Sequence, residues 1–191
     1  MVLETMAVGF LIGLRHALEP DHLAAVSTQS SQEKKLSQAL KHGLAWGLGH
    51  TTILFLLGSI LLFIGFIVPA RIESFLELLI GIMLIYLGII SFKHKKDAST
   101  KRTFMIGSMH GLAGSSALVL IITASLSSIT QRLGYILIFG IGSIIGMIAV
   151  GGVLRLLRGK NNHWLQYSAA VISIVVGVII ILKNGVSLSS L

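Results

Sequence analysis

Polar residues in this chain fall between long apolar runs, and the spacing of those runs predicts the elements before any single residue is considered. A helix needs roughly 20 apolar residues to cross a hydrocarbon core of about 30 Å. Runs near that length occupy residues 3–26, 38–67, 72–92, 104–127, 133–154 and 164–183. The longest cytoplasmic interruptions, "SSQEKKLSQALK" and "KHKKDASTKR", are about a dozen residues or fewer. The pattern predicts an all-α integral membrane protein of six transmembrane helices, folded as a single membrane domain over 1–191.

Composition agrees, with 54% of residues hydrophobic and 12% charged, against about a quarter charged in soluble domains. The net charge of +8 raises the question of a nucleic-acid partner, but the basic residues sort by loop. Lys34, Lys35 and Lys41 flank the first loop; Lys93, Lys95, Lys96, Lys101 and Arg102 fill the third; Arg155, Arg158 and Lys160 fill the fifth. Arg71, Arg132 and Lys183 alone mark the other side, with Arg15 inside the first run. The positive-inside rule therefore puts the odd-numbered loops in the cytoplasm and both termini outside a plasma membrane. The basic residues are topology signals, and no nucleic acid is expected. "MVLETMAVGFLIGL" has neither a basic n-region nor a small-residue cleavage site, so a removed signal peptide is not expected. With no cysteine, any metal must be held by nitrogen and oxygen.

The two halves resemble each other. Sliding the chain by 94 residues lays Phe10, Ile12, Gly13, His16 and Leu18 over Phe104, Ile106, Gly107, His110 and Leu112, and a shift of 93 lays "WGLGH" over "FGIGS". Repeats of about 1–95 and 101–191 would each hold an odd number of spans, so the second would lie inverted in the membrane. Inverted repeats with the substrate site near mid-membrane are a common transporter plan.

Against this background "RHALEPDH", residues 15–22, is costly. Each ionisable residue at a span centre costs about 2.5–3.5 kcal/mol on insertion scales. In an unbroken helix of about 100° per residue, His16 and His22 would diverge. Pro20 has no N–H for the carbonyl of His16 and crowds that turn, so a break at 18–20 is expected, with Asp21 capping the restart and the His16 carbonyl left free. The break would let His16, Asp21 and His22 face one point. His50 lies about twelve residues into the second run, near mid-membrane. His110 sits in the fourth run as the repeat partner of His16. His42, His94 and His163, near loop ends, are read as solvated.

Arg15 is expected to be a counter-ion to Glu19, Asp21 or Glu77. Glu4, Glu73 and Glu77 are acids toward the outer ends of their spans that could draw cations inward, with interfacial solvation an equal reading of Glu73 and Glu77. Imidazole plus carboxylate without thiolate suits divalent Ni, Co, Zn or Cu. Neutral imidazole is the ligating form, so binding should weaken as pH falls through the histidine range. The residues alone leave open a proton-coupled exporter of an anion or small solute, with Arg15 binding the anion. A structural subunit glued by polar contacts is a further reading. An enzyme is not expected, because neither H-E-x-x-H nor G-x-S-x-G occurs.

At these residues the chain resembles the nickel/cobalt transporter family of membrane permeases, especially its shorter branch related to urease-accessory nickel transporters. The family's first signature, R-H-A-x-D-A-D-H, is matched at Arg15, His16, Ala17, Asp21 and His22, with departures at Glu19 and Pro20. Its second, L-G-H-S/T-T, is matched by "LGHTT" at Leu48 to Thr52, and "HGLAGSSALVL" at 110–120 resembles the start of the second half. The later acidic signatures of eight-span members are not evident. The resemblance implies transport of Ni²⁺ or Co²⁺, with Zn²⁺ a third candidate, as substrate and without a resident cofactor. The expected metal residues are His16, Asp21, His22, His50 and His110, supported from behind by Arg15, Glu19 and Thr51. A homo-oligomer is compatible with this reading.

Overall fold

A computed structural model describes residues 2–30, 33, 35–66, 68–93, 99–113, 126–157 and 164–189. Within them the secondary structure is entirely helical: α1 (Val2–His16), α2 (Pro20–Ser30), α3 (Leu36–Ile64), α4 (Ala70–Lys93), α5 (Thr100–His110), α6 (Ile129–Leu157) and α7 (Trp164–Ser189). Four of these, α3, α4, α6 and α7, are long and apolar enough to cross a membrane. Many large apolar side chains on them face outward, including Leu56, Ile82, Ile145 and Ile179. That surface suits lipid and would be a liability in water. Residues 114–125 of the fourth apolar run, His94 and His163 lie outside the described residues, so their sequence readings have no structural counterpart.

The first apolar run is broken where Pro20 demands it. α1 stops at His16, and α2 restarts with Pro20 itself as its first residue, a position that suits a ring with fixed φ and no N–H to lose. The turn is tight: Leu18 N–H donates to the Arg15 carbonyl at 2.8 Å, and Glu19 N–H donates to the His16 carbonyl at 3.0 Å. Two expectations are corrected here. The His16 carbonyl is not free, because Glu19 supplies the donor that Pro20 lacks. Asp21 lies inside the first turn of α2 rather than capping it, and the Glu19 carbonyl accepts the first helical bond, from Leu23 N–H at 2.8 Å.

α3 ends on Gly65, whose φ of 69° is a left-handed conformation open to glycine without a Cβ penalty. Phe66 N–H closes that end on the Leu61 carbonyl at 3.1 Å, the bond expected of a Schellman stop.

Packing is set by glycines at helix crossings, and the crossings come in matched pairs. A Cβ on Gly13 of α1 would strike the Phe139 carbonyl of α6, and one on Gly107 of α5 would strike the Trp46 carbonyl of α3. Gly142 meets the Phe10 carbonyl just as Gly49 meets that of Phe104. Adding 94 to Gly13 and Phe10, and 93 to Trp46 and Gly49, converts one contact of each pair into the other. Close backbone approach through small residues is how helices associate where no hydrophobic force separates lipid from protein. α4 and α7 pack as a further pair, and the short α2 lies among α3, α4, α6 and α7. This central position of α2 places the break, and the residues on it, inside the bundle.

Candidate metal centre

The break, α3 and α5 bring four imidazoles together. His16 at the end of α1, His22 on α2, His50 on α3 and His110 at the end of α5 are all buried, none more than 5% exposed. The rings of His16 and His22 lie 4.1 Å apart between centroids, those of His22 and His110 4.3 Å, and those of His16 and His50 5.3 Å. His16 and His22, which a regular helix would separate, now face one point.

Each of the break histidines is oriented from behind by a carboxylate. His16 Nδ1 lies 2.9 Å from Glu19 Oε2, and His22 Nδ1 lies 3.0 Å from Asp21 Oδ1. The other oxygen of Asp21 lies 2.9 Å from Nε2 of His110. Carboxylates behind imidazoles fix the tautomer and ring direction and raise ligand basicity. The opposite nitrogens, Nε2 of His16 and Nε2 of His22, are buried without a hydrogen-bond partner, as are both nitrogens of His50 and Nδ1 of His110. An unpaired buried nitrogen costs about 1–3 kcal/mol, so these orphans are expensive unless something electron-poor joins them. Two donor groups are compact enough to hold an ion: His16, His22 and His50, and Asp21, His22 and His110, each with ligand atoms within 4.8 Å of one another. His22 belongs to both.

Aromatic rings wall the cluster. Trp46, one turn before His50 on α3, stacks on that ring at 5.5 Å and contacts those of His22 and His110 at 5.3 and 5.1 Å. Phe139 of α6 lies 5.3 Å from His16. A cavity of about 460 Å³ opens onto His16, Asp21 and His22 from the side of Phe139 and Glu77.

Other sequence expectations fare differently. Arg15 is exposed, and no ion pair joins it to Glu19, Asp21 or Glu77 among the described residues. It is exposed where its neighbour His16, the last residue of α1, is buried, and Glu19 turns to His16 instead. Thr51 donates to the Gly140 carbonyl at 3.2 Å, a crossing contact between α3 and α6. His42 is not solvated: it is 5% exposed, with Nε2 3.1 Å from the buried Glu33 and Nδ1 2.8 Å from Thr103 Oγ1. Its position two turns before His50 and one before Trp46 puts all three on one helical face. That spacing was the available signal. Trp46, Phe139 and the Glu33–His42 pair were missed because a lone aromatic or loop-end acid carries no sign of what it packs against.

Comparison with known proteins gives a consistent picture. The profile of the NicO family, described as high-affinity nickel-transport protein, matches residues 2–93. Over 170 residues the chain is 35% identical to the urease accessory protein UreH of Bacillus sp. (strain TB-90), covering 78% of this chain and 75% of that protein. Over 161 residues it is 29% identical to a Methanocaldococcus jannaschii protein described as a candidate nickel/cobalt efflux system, covering 77% of this chain and 75% of the relative. No solved structure matches the chain at a significant level.

Proposed function

The chain belongs to the NicO family of high-affinity nickel-transport proteins, and on that premise we propose that it carries Ni²⁺ or Co²⁺ across the plasma membrane by alternating access. The observation that carries the reading is the set of buried ring nitrogens on His16, His22 and His50 that have no partner and converge within bonding range of one ion. Three imidazoles without sulfur suit a divalent first-row metal.

In this reading Nε2 of His16 and of His22, with one nitrogen of His50, bind the ion first, while Glu19 and Asp21 hold the rings from behind. His22 is shared with the second donor group. The ion passes onward by exchanging His16 and His50 for Asp21 and His110, His22 staying bound throughout. Transfer through overlapping sets avoids a fully dehydrated intermediate without ligands.

The architecture we propose for this motion is six spans in two inverted three-helix repeats, with α1 and α2 forming the first span and both termini outside. The paired glycine contacts, in which each half offers its first helix to the long second helix of the other, support it. One half rocking against the other would then open the site to alternate sides. No catalytic step is part of this reading.

Isothermal titration of the purified chain with Ni²⁺, Co²⁺ and a panel of anions tests the proposal. Saturable binding of the divalent metals, lost in His22→Ala, is expected. Anion binding without metal binding would overturn it in favour of an anion exporter.

A further inference from the structure

The cavity in front of the histidines has an acid on a wall that the metal centre does not use. Its lining includes Glu77 of α4 together with His16, Glu19, Asp21 and His22, and the remainder is chiefly aliphatic, from Ile12, Ile80, Val176 and Ile180. Glu77 lies seven residues into α4, about 10 Å along the helix axis from its start. Its Oε2 accepts a hydrogen bond of 2.8 Å from Nδ2 of Asn184 on α7, and the same amide nitrogen donates to the Ile180 carbonyl at 3.0 Å. Both partners of that nitrogen are acceptors, so the amide orientation is self-consistent. Asn184 is buried, which fixes the carboxyl group in one pose.

Among the described residues no lysine, arginine or histidine forms an ion pair with Glu77. Glu77 is half-buried beside aliphatic Ile80, Val176 and Ile180, with the neutral Asn184 amide on its carboxylate, and such a charge is costly unless a cation visits it. The nearest visitors are those bound for the same cavity, where Nε2 of His16 and Nε2 of His22 stand buried and unpartnered.

We propose that Glu77, positioned by Asn184, is a separate vestibule subsite that takes a hydrated divalent cation before it reaches the histidines. A single carboxylate is a weak ligand for a hydrated ion, which is what a transit site requires: attractive enough to fill and weak enough to release. The apolar walls between Glu77 and the carboxylates of Glu19 and Asp21 focus the field of these acids along the cavity. The inference rests on the transport reading above and adds a residue outside both donor groups.

Initial rates of Ni²⁺ uptake into proteoliposomes holding the full chain test it. Glu77→Gln should raise KM about tenfold while kcat changes far less, the signature of lost capture rather than lost transfer. Asn184→Ala should raise KM by a smaller factor, and Glu77→Asp should recover part of the loss. Glu73→Gln, one turn away and outside the cavity lining, should raise KM far less than Glu77→Gln does. An unchanged KM in Glu77→Gln, or a fall in kcat at constant KM, would overturn the subsite and leave the central site standing. A wild-type chain that moves no divalent metal would overturn both readings together.

Discussion

Oδ2 of Asp21 lies 2.9 Å from Nε2 of His110, although the two residues are separated by 89 positions in the chain. One side chain at the helix break thus ties the first half of the molecule to the second. It also holds His22 through its other oxygen at 3.0 Å, so the carboxylate sets the directions of two imidazoles at once.

Removing that carboxylate should loosen both rings. Asp21→Ala is expected to weaken Ni²⁺ binding by about 10–100-fold, the range seen when the partner behind a metal-ligating histidine is lost. Asp21→Asn keeps the size and one acceptor, and should weaken binding less. Titration calorimetry on the two variants checks the order. Equal affinities in wild type and Asp21→Ala would remove Asp21 from the site.

A methyl group at a helix crossing tests the fold. Gly49→Ala puts a Cβ against the Phe104 carbonyl, and Gly142→Ala puts one against that of Phe10. Backbone cannot step aside as a flexible side chain can, so each should destabilise by about 1–3 kcal/mol or more. Gly185→Ala, where a Cβ meets nothing within 4 Å, serves as the control. Thermal melts in detergent should rank the first two well below the control.

The Glu33–His42 pair should contribute to stability rather than to binding of the ion at the central site. His42→Ala removes the imidazole that lies 3.1 Å from the buried Glu33 carboxylate, and breaking a buried pair from one side costs about 3–5 kcal/mol. A lowered melting temperature with unchanged Ni²⁺ affinity per folded molecule is expected. A lost affinity at unchanged melting temperature would move His42 into the transport path.

What the sequence disclosed and what it hid follow from the range of the forces involved. The break at Pro20 was legible because proline acts on its own turn, and convergence of His16 and His22 follows from it. The detail was not: Glu19 N–H takes the His16 carbonyl, and Asp21 spends its oxygens on His22 and His110, because those choices depend on where α5 lies. The pairing of His42 with Glu33 and Thr103 likewise depends on the packing of α3 against α5. Arg15 is assigned a partner on charge alone, whereas it is exposed and Glu19 pairs with His16. The matching of Gly13 with Gly107 was visible as a weak repeat; only the contacts of each with the other half give that repeat a physical meaning.

The central claim is that a divalent metal crosses the membrane through the buried histidines, with His22 common to both donor groups. The most direct test is Ni²⁺ flux into proteoliposomes, comparing wild type with a His22→Ala variant matched for folded protein by melting curve. The account predicts saturable flux in wild type, competed by Co²⁺, and flux at the level of empty liposomes in His22→Ala. Undiminished flux in His22→Ala would contradict it.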